Sequence, residues 1–324
     1  MSVAPEICVV VPTHDKADRL PALIDALAAQ SLAGDRFEVV VVDDCSTDGT
    51  AAVLADLIGP ATPNMRSIRT AVNSGGPSIP RNTGWRSSKA DVVVFLDDDC
   101  LPEPSWLEAA LEAMQANPSW GVCQGCTVLP PGIDPDALGR WDVERQVLGM
   151  SPWFEGTNIF YRRRALEEVD GFDETIPWWG EDTDLGWRVV EAGWGRGFAP
   201  KAVAVHEVAD RGWRWAAKFG WLDQRVIQVA ARHPQLRQEG FWRPWALHRP
   251  GAEFAAALAG LALATRWKPA AAAALPYLVC RRPPFRRDGV NRQTIALGFQ
   301  TVAVDMVRLA GHLRGSVSAR MFVV

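Results

Sequence analysis

The chain has 324 residues, of which 48% are hydrophobic and 22% charged, so disorder, a collagen-like repeat and a disulfide-stapled miniprotein are excluded. Its net charge of −4 hides an asymmetry: residues 1–200 contain 15 basic and 31 acidic side chains, whereas residues 201–324 contain 19 and 7. The acidic front half argues against nucleic acid as the main partner. The basic rear half leaves a membrane surface or another anionic partner open.

The first 120 residues alternate between two hydrophobic patterns. Short β-branched runs predict buried strands at Ile7–Val11, Phe37–Val42 and Asp91–Leu96. Apolar residues at helical spacing predict a helix after each strand, over 20–27, over Thr50–Leu57 and from residue 106 onward. This alternation predicts an α/β fold with a mostly parallel sheet, because consecutive parallel strands need crossover helices.

Acidic residues follow each predicted strand. Ligands of open parallel sheets bind beyond the carboxyl ends of the strands, so these side chains are expected at one edge of the sheet. They are Asp15, Asp43, Asp44, Asp97, Asp98 and Asp99. The run Asp97–Asp99 predicts a hard oxygen site for Mn²⁺ or Mg²⁺, because neighbouring carboxylates repel each other without a cation. A solvated acidic turn is the alternative.

Two common nucleotide-binding classes are disfavoured. No GxGxxG sequence follows the first strand, which argues against a dinucleotide-binding dehydrogenase, and the chain has no GxxxxGK[ST] sequence of a P-loop enzyme. The six cysteines contain one CxxC pair without the second pair or the histidines that a zinc site needs. With no secretory signal in its first residues, the chain is expected to be cytoplasmic, with reduced thiols.

Seven motifs occur in a fixed order along the chain. They are VVVPTHDKADRL, VVVVDDCSTDGT, PRNTGW, VVVFLDDDCLP, EGTNIFYRR, DGFDE and GEDTDLGWRVVEAG. In this order they resemble the family 2 glycosyltransferases of GT-A fold over about residues 5–210. The resemblance implies a Rossmann-like, mostly parallel sheet flanked by helices. It places a nucleotide-sugar side at 1–120 and an acceptor side at 121–210 of one GT-A domain. Composition and apolar patterning predict a basic, apolar helical region at 211–324.

The resemblance also implies a role for each residue that matches the family motifs. A nucleotide-diphosphate sugar, with UDP as the first expectation, would be bound by Pro12, Thr13, Asp15, Asp43, Asp44, Arg81, Asp97 and Asp98. Asp97 and Asp99 match the metal-binding DxD motif. His206 follows an apolar run at a position where several such enzymes supply a third metal ligand, although a histidine that ends a strand is also often structural.

The pair Glu181–Asp182 is the second expected chemical centre. The residues alone leave two interpretations, because acids at the start of a helix also interact favourably with the helix dipole. The resemblance makes this pair catalytic, with Asp182 as the general base that deprotonates an acceptor hydroxyl and Asp184 as the second candidate. It implies a single displacement with inversion, in which the cation stabilises the departing diphosphate.

Tryptophan is the unusual residue in the composition, with 15 copies and none before Trp85. Flat rings stack on sugar faces, so the tryptophans near the catalytic pair are expected to contact the acceptor, with a packed aromatic core as the alternative. The expected acceptor contacts are Trp153, Asn158, Trp178 and Trp179, while Trp187 is expected in the core. The acceptor is expected to be a glycan, a lipid-linked molecule or a natural product.

The C-terminal region contains apolar runs at 254–265 and 270–280 that are too short to span a bilayer. Arg281, Arg282, Arg286 and Arg287 follow, so this region predicts either a peripheral contact with an anionic membrane or a helical subdomain. A later helix carries one apolar seam, expected to dock on its own domain, with a homodimer as the alternative. The seam is Ile295, Phe299, Val302, Met306, Leu309 and Leu313.

Two other functions remain in competition. A sugar nucleotidyltransferase also uses acidic metal sites on an α/β sheet, but the glycine- and lysine-rich segment that such enzymes carry after the first strand is absent. A non-catalytic membrane adaptor with a transferase fold would not need the intact DDD and ED sequences.

Overall fold

The computed structural model describes residues 4–59, 62, 64–280 and 291–324. Contacts along the chain divide it into two compact units. The first unit contains Met1–Leu138 and Val143–Ala209, and the second contains Gly139–Asp142 and Asp210–Val324.

An eight-stranded sheet forms the centre of the first unit. Its strands are β1 (Ile7–Thr13), β2 (Phe37–Asp43), β3 (Met65–Arg69), β4 (Val92–Leu96), β5 (Cys100–Pro102), β6 (Trp120–Val128), β8 (Asn158–Arg162) and β9 (Gly195–His206). The strand order is β3-β2-β1-β4-β8-β6-β9-β5. Pairing is parallel from β3 to β4 and between β6 and β9, and antiparallel at the two sides of β8 and between β9 and β5. The two-residue strands β7 (Asp142–Val143) and β10 (Ala209–Asp210) stand outside this sheet.

Helices connect these strands. They are α1 (Leu20–Ala28), α2 (Thr50–Leu57), α3 (Ser78–Arg86), α4 (Trp106–Ala116), α5 (Arg163–Glu168) and α6 (Glu181–Glu191), and a 3₁₀ turn covers Pro135–Ala137. The predicted α/β fold with a mostly parallel sheet is therefore confirmed, and all three predicted strands are present. The sequence reasoning predicted three of the eight strands and missed, among others, β3, a five-residue strand at the edge of the sheet.

The register of the sheet aligns the strand ends that carry acidic residues. All seven residues of β1 and all five of β4 are buried, as expected for parallel strands covered on both faces. Thr13 at the end of β1 lies beside Asp43 at the end of β2. The run Asp97–Asp99 follows the end of β4, the other neighbour of β1. The acidic segments therefore emerge at the same edge, as predicted.

The second unit is helical. It contains α7 (Gly212–Arg232), α8 (Pro234–Glu239), α9 (Arg249–Leu263), a 3₁₀ segment at Lys268–Ala274, α10 (Leu275–Cys280) and α11 (Arg292–Ala319). The helices α7 and α11 approach closely, because a Cβ added to Gly311 would lie 2.8 Å from the carbonyl oxygen of Gly220. Over the residues that the structure describes, no helix has both the length and the apolar character needed to cross a bilayer.

The apolar seam of α11 faces away from the second unit's interior. Its buried positions are mostly polar or small, namely Thr294, Thr301, Val304, Asp305, Gly311, His312 and Gly315. The predicted seam is instead largely exposed, for example 74% at Phe299, while Leu309 packs against buried neighbours. The expectation that the seam docks on its own domain was wrong, since close approach to α7 uses the glycines on the other face. The four arginines that follow residue 280, which were expected in one of two interpretations to contact an anionic membrane, lie outside the described residues.

Candidate active site

The acidic run Asp97–Asp99 after β4 lies close to three basic side chains, those of Arg81, His206 and Arg19. The Asp97 carboxylate accepts a hydrogen bond of 2.7 Å from Nη2 of Arg81. The Asp99 carboxylate lies 3.6 Å from Nε2 of His206 and 3.7 Å from Nη1 of Arg19. Burial and the neighbouring carboxylates raise the pKa of Asp99, and burial together with Asp99 raises the pKa of Asp98 to about 7. The acids thus crowd together in a way that a bound cation would relieve.

His206 ends β9 opposite the start of β5, where its backbone pairs with that of Cys100. Its side chain is 7% exposed, and its Nδ1 is buried without a hydrogen-bond partner among the described residues. One ligand atom each from Asp99, Cys100 and His206 can be chosen so that all lie within 4.8 Å of one another. The donor chemistry and the unpartnered ring nitrogen therefore fit a divalent cation at this position.

The second acidic centre lies in the first turn of α6. The Asp182 carboxylate accepts hydrogen bonds from the backbone N–H of Gly156 (2.9 Å) and of Thr183 (2.7 Å), so its orientation is fixed. Burial raises its pKa, and Arg81 opposes that rise. The second candidate base, Asp184, is buried and paired with Arg188 at 2.7 Å. Of the two, Asp182 is the carboxylate whose charge interacts with Arg81, the hydrogen-bond partner of Asp97.

Arg81 joins the two acidic centres. This side chain is 3% exposed, and its Nη1 donates to Oε1 of Glu181 at 3.1 Å while its Nη2 donates to Asp97. Burial and the neighbouring Asp182 raise the pKa of Glu181 to about 8. The other carboxylate oxygen of Glu181 is buried without a partner among the described residues. In the structure the Arg81 guanidinium binds two carboxylates. The nucleotide contact expected for Arg81 stays a prediction.

The nucleotide-side carboxylates hold the loops after β1 and β2. Asp15 accepts from the backbone N–H of Thr47 at 2.6 Å, which lowers its pKa. Asp43 is buried and pairs with Arg69, a residue of the strand that sequence reasoning missed.

The neighbouring Asp44 accepts a hydrogen bond of 2.7 Å from the hydroxyl of Ser74. Pro12 and Thr13 are buried at the end of β1, beside these loops. The expected nucleotide contacts of all five residues stay predictions.

Several residues around the site have left-handed backbone. Apart from glycine, these include Asp15, Cys45, Phe154 and Trp179, with φ between 50° and 69°. Such conformations cost about 1–3 kcal/mol each and concentrate at functional sites. Trp179 is followed by Gly180 at φ 108°, and this pair turns the chain into α6.

The three tryptophans expected on the acceptor side are partly buried. The backbone carbonyl of Trp153 accepts from the hydroxyl of Thr183 at 2.6 Å, which ties it to the start of α6. Arg145 lies 5.5 Å from the ring centre of Trp179. Acceptor contact by Trp153, Trp178 and Trp179 stays a prediction, whereas Trp187 is buried in the core as expected.

Asn158 has a structural role instead of the acceptor contact expected from the sequence. It is 1% exposed, and its carbonyl oxygen accepts from the indole N–H of Trp106 at 2.9 Å. Its amide group donates to the backbone carbonyls of Cys126 and Ala202, each at 3.0 Å. Both amide hydrogens are thus used within the fold, and the side chain cannot reach an acceptor.

Sequence reasoning missed Arg19, Glu207 and Gly156, which contribute to this site. Arg19 lies near Asp99 and pairs with Glu207 at 2.6 Å, and Gly156 supplies the N–H that holds Asp182. A Cβ on Gly156 would lie 2.7 Å from Nη2 of Arg81, so this glycine leaves room for the guanidinium. Only the position of Gly156 inside the EGTN sequence hinted at a role.

Comparisons with known proteins agree with this geometry. The family model for glycosyl transferase family 2 matches residues 8–172, and that for glycosyl transferase family group 2 matches residues 92–279. The pre-mycofactocin glycosyltransferase of Mycobacterium tuberculosis is 29% identical over 243 residues, which are 71% of this chain and 48% of the relative. The validoxylamine A glucosyltransferase of Streptomyces hygroscopicus is 26% identical over 279 residues, covering 74% and 64%. The chain thus spans about half the length of the first of these relatives.

Solved structures share the fold. A mannosyltransferase from Pyrobaculum calidifontis, in complex with GDP-Man and Mn²⁺, superposes with a TM-score of 0.58 and 22% identity, over 98% of this chain and 88% of that one. Residues 1–349 of TarS from Staphylococcus aureus, in complex with UDP, give a TM-score of 0.51 and 19% identity, over 98% and 92%. Because the family 2 model covers just over half of the sequence, from β1 to the segment after α5, this chain belongs to glycosyl transferase family 2.

Proposed function

We propose that this chain transfers a sugar from a nucleotide-diphosphate sugar to an acceptor hydroxyl, with inversion at the anomeric carbon. The observation that carries the proposal is the bridge made by Arg81 between Asp97 and Glu181. It brings the acidic run after β4 and the acidic start of α6 into one site, so a group bound by the first lies within reach of the second.

Asp99 and His206 are the residues proposed to hold a divalent cation, Mn²⁺ or Mg²⁺. When bound, such a cation would stabilise the negative charge that develops on the departing diphosphate. Asp97 is the third proposed ligand, and one of its oxygens also accepts a hydrogen bond from Arg81, which keeps the guanidinium beside the site. Arg19 lies on the other side of Asp99 and offers a positive charge to the phosphates.

Asp182 is the proposed general base. Two backbone N–H groups stabilise its charged form, while burial and the adjacent Asp182 raise the pKa of Glu181. Asp182 would take the proton of the acceptor hydroxyl as that oxygen attacks the anomeric carbon. A single displacement of this kind inverts the configuration.

The donor is proposed to be a UDP-sugar, bound at the loops that contain Pro12, Thr13, Asp15, Asp43 and Asp44. Support comes from TarS, whose fold is similar and whose structure contains UDP, although the Pyrobaculum enzyme contains GDP-Man. The acceptor, a glycan, a lipid-linked molecule or a natural product, is proposed to meet Trp153, Trp178 and Trp179.

The test uses two substitutions with a matched control. We expect Asp182→Asn to lower the transfer rate by about 10²–10⁴-fold while nucleotide binding in the presence of Mn²⁺ persists. Asp99→Ala should abolish the dependence of nucleotide binding on the cation. The control is Asp170→Asn, at a side chain that is 92% exposed, and it should change neither the transfer rate nor nucleotide binding. Thermal-shift screening of nucleotide diphosphates would first identify the donor base.

The stereochemistry is read by NMR of the anomeric carbon in the product. Transfer with retention, or full activity of Asp182→Asn, would contradict the assigned mechanism. Release of pyrophosphate from a nucleoside triphosphate and a sugar phosphate would instead support a nucleotidyltransferase.

We also propose that the second unit binds the surface of an anionic membrane, at the inner face, as a peripheral contact. Exposed apolar side chains cluster along α9, the following 3₁₀ segment and α10, including Leu261 (52%), Trp267 (65%) and Leu275 (60%). Residues 201–324 carry 19 basic and 7 acidic side chains, which favours an anionic leaflet. Apolar area and positive charge together are the combination that interfacial helices use.

Co-sedimentation with vesicles tests this contact. The chain should bind vesicles rich in phosphatidylserine and not neutral ones, and Trp267→Asp should weaken binding. Val72→Asp, a control at a 71% exposed apolar position in the first unit, should have no effect. Formation of a dimer in light scattering that Phe299→Asp abolishes, without vesicle binding, would instead assign the apolar surface to a second copy of the chain.

A further inference from the structure

Cys100 shares the proposed cation site with Asp99 and His206. It is the first residue of β5 and is paired with His206 across the antiparallel β5–β9 ladder. Directly opposite residues of such a ladder project to the same face of the sheet, with Cβ atoms about 4.5–5.5 Å apart. The sulfur of Cys100 lies 3.9 Å from Oδ1 of Asp99, so the sulfur faces the same space as the carboxylate and the imidazole.

The separations between these ligand atoms suit one small ion. Tetrahedral zinc sites have metal–ligand distances that place neighbouring N, O and S ligands about 3.4–3.6 Å apart. The observed separations are 3.6 Å between Asp99 Oδ1 and His206 Nε2, and 3.9 Å between Asp99 Oδ1 and Cys100 Sγ. One ligand atom of each of the three residues can be chosen so that all lie within 4.8 Å of one another, which includes the pair Cys100 and His206.

The state of His206 is independent support for a ligand at this position. Its ring is more than nine-tenths buried, its Nδ1 has no hydrogen-bond partner among the described residues, and its Nε2 is 3.6 Å from Asp99, beyond hydrogen-bond length. Buried polar groups are nearly always hydrogen-bonded. A buried ring without hydrogen bonds is therefore unusual for a structural histidine, and a metal ion would satisfy one of its nitrogens.

We propose that Cys100 is a metal ligand, and that its sulfur makes the site prefer Zn²⁺ or Co²⁺ to Mg²⁺. This rests on the proposed function, since the site is the one assigned to the cation of the transfer reaction. Thiolate and imidazole ligands favour Zn²⁺ and Co²⁺, whereas Mg²⁺ prefers oxygen ligands in octahedral geometry. Binding converts the thiol to a thiolate and releases its proton to solvent. The consequence is that Zn²⁺ competes effectively with Mn²⁺ or Mg²⁺ for this site.

Optical titration of the metal-free full chain with Co²⁺ tests the inference. Wild type should show a near-ultraviolet absorption band from thiolate-to-Co²⁺ charge transfer, and Cys100→Ser should lack it. Cys123→Ser is the matched control, because Cys123 is a buried cysteine on β6, outside the ligand set, and its loss should leave the band unchanged. Zn²⁺ affinity, measured by displacement of Co²⁺, should fall at least about 10-fold in Cys100→Ser.

Circular dichroism checks that the variants fold, and Cys100→Ala replaces the serine variant if the buried hydroxyl prevents folding. Absence of the band in wild type, or its persistence in Cys100→Ser or Cys100→Ala, would overturn the inference. The readout needs neither donor nor acceptor. A chain without transfer activity would still show the band, and an active transferase without the band would refute the sulfur ligand alone.

Discussion

Replacing Glu181 with glutamine should remove a large part of the pH dependence of stability. The Glu181 side chain is 5% exposed, and among the described residues only one of its oxygens receives a hydrogen bond, from Arg81. Burial and the adjacent Asp182 raise its pKa from 4.5 to about 8, against the opposing effect of Arg81. The folded chain therefore holds a proton on this residue over a pH range in which the unfolded chain has lost it.

The sign and size of the effect follow from that difference. Because the folded state binds more protons between pH 4.5 and about 8, the free energy of unfolding of wild type falls as pH rises through this window. Each pH unit corresponds to about 1.4 kcal/mol. Relative to the glutamine variant, which stays neutral, wild type should lose about 3 kcal/mol by pH 7 and about 5 kcal/mol by pH 9.

The assay is urea unfolding followed by tryptophan fluorescence at pH 5, 7 and 9. Comparing wild type and Glu181→Gln at each pH cancels the contributions of titrating groups that do not interact with Glu181. Glu167→Gln is the control, since the Glu167 side chain is 55% exposed and should show a small, pH-independent difference. A difference between wild type and Glu181→Gln that does not grow with pH would refute the reasoning, because Glu181 would then be an ionised partner of Arg81.

Three further substitutions test the packing around the site and in the second unit. Gly156→Ala should displace the Arg81 guanidinium, lowering the unfolding free energy by about 1–3 kcal/mol and the transfer rate by up to about 100-fold in steady-state kinetics. Asn158→Ala removes three hydrogen bonds and should cost about 3 kcal/mol in urea unfolding, without changing acceptor KM. In Gly311→Ala the added Cβ would collide with the backbone of Gly220. Although alanine gains about 1 kcal/mol in helix propensity over glycine, we expect hydrogen exchange to show faster opening of α7 and α11.

Local patterns predicted the centre of the fold well. β1, β2 and β4 are apolar runs buried on both faces, and such runs have few alternatives to a central strand. The edge strand β3 has only five residues and a partly exposed MRSIR sequence, so no apolar run identified it. For α11, periodicity predicted one apolar stripe, but the packed face was decided by close approach of small residues, which periodicity does not measure.

The sequence predicted which acidic residues belong to the candidate site better than it predicted which side chains pair with one another. Asp97, Asp99 and Asp182 stand where strand ends and a helix start place them, which spacing along the chain can indicate. Arg81 is 16 positions from Asp97 and 100 positions from Glu181 along the chain, and pairings over such separations depend on tertiary structure. Asn158 shows the converse, because its place beside a motif suggested substrate contact while three partners from distant segments hold it in the interior.

The segments that precede α3 and α6 are in direct contact. A side chain at Gly76 would collide with the carbonyl oxygen of Pro177, and the hydroxyl of Ser78 donates to the carbonyl of Ile176 at 2.6 Å. If nucleotide binding displaces the first segment, Trp178, whose Cβ also lies beside Gly76, would move with it. We expect compulsory-order kinetics as a result, in which the donor enters first and completes the surface for the acceptor, while the spent nucleotide leaves last.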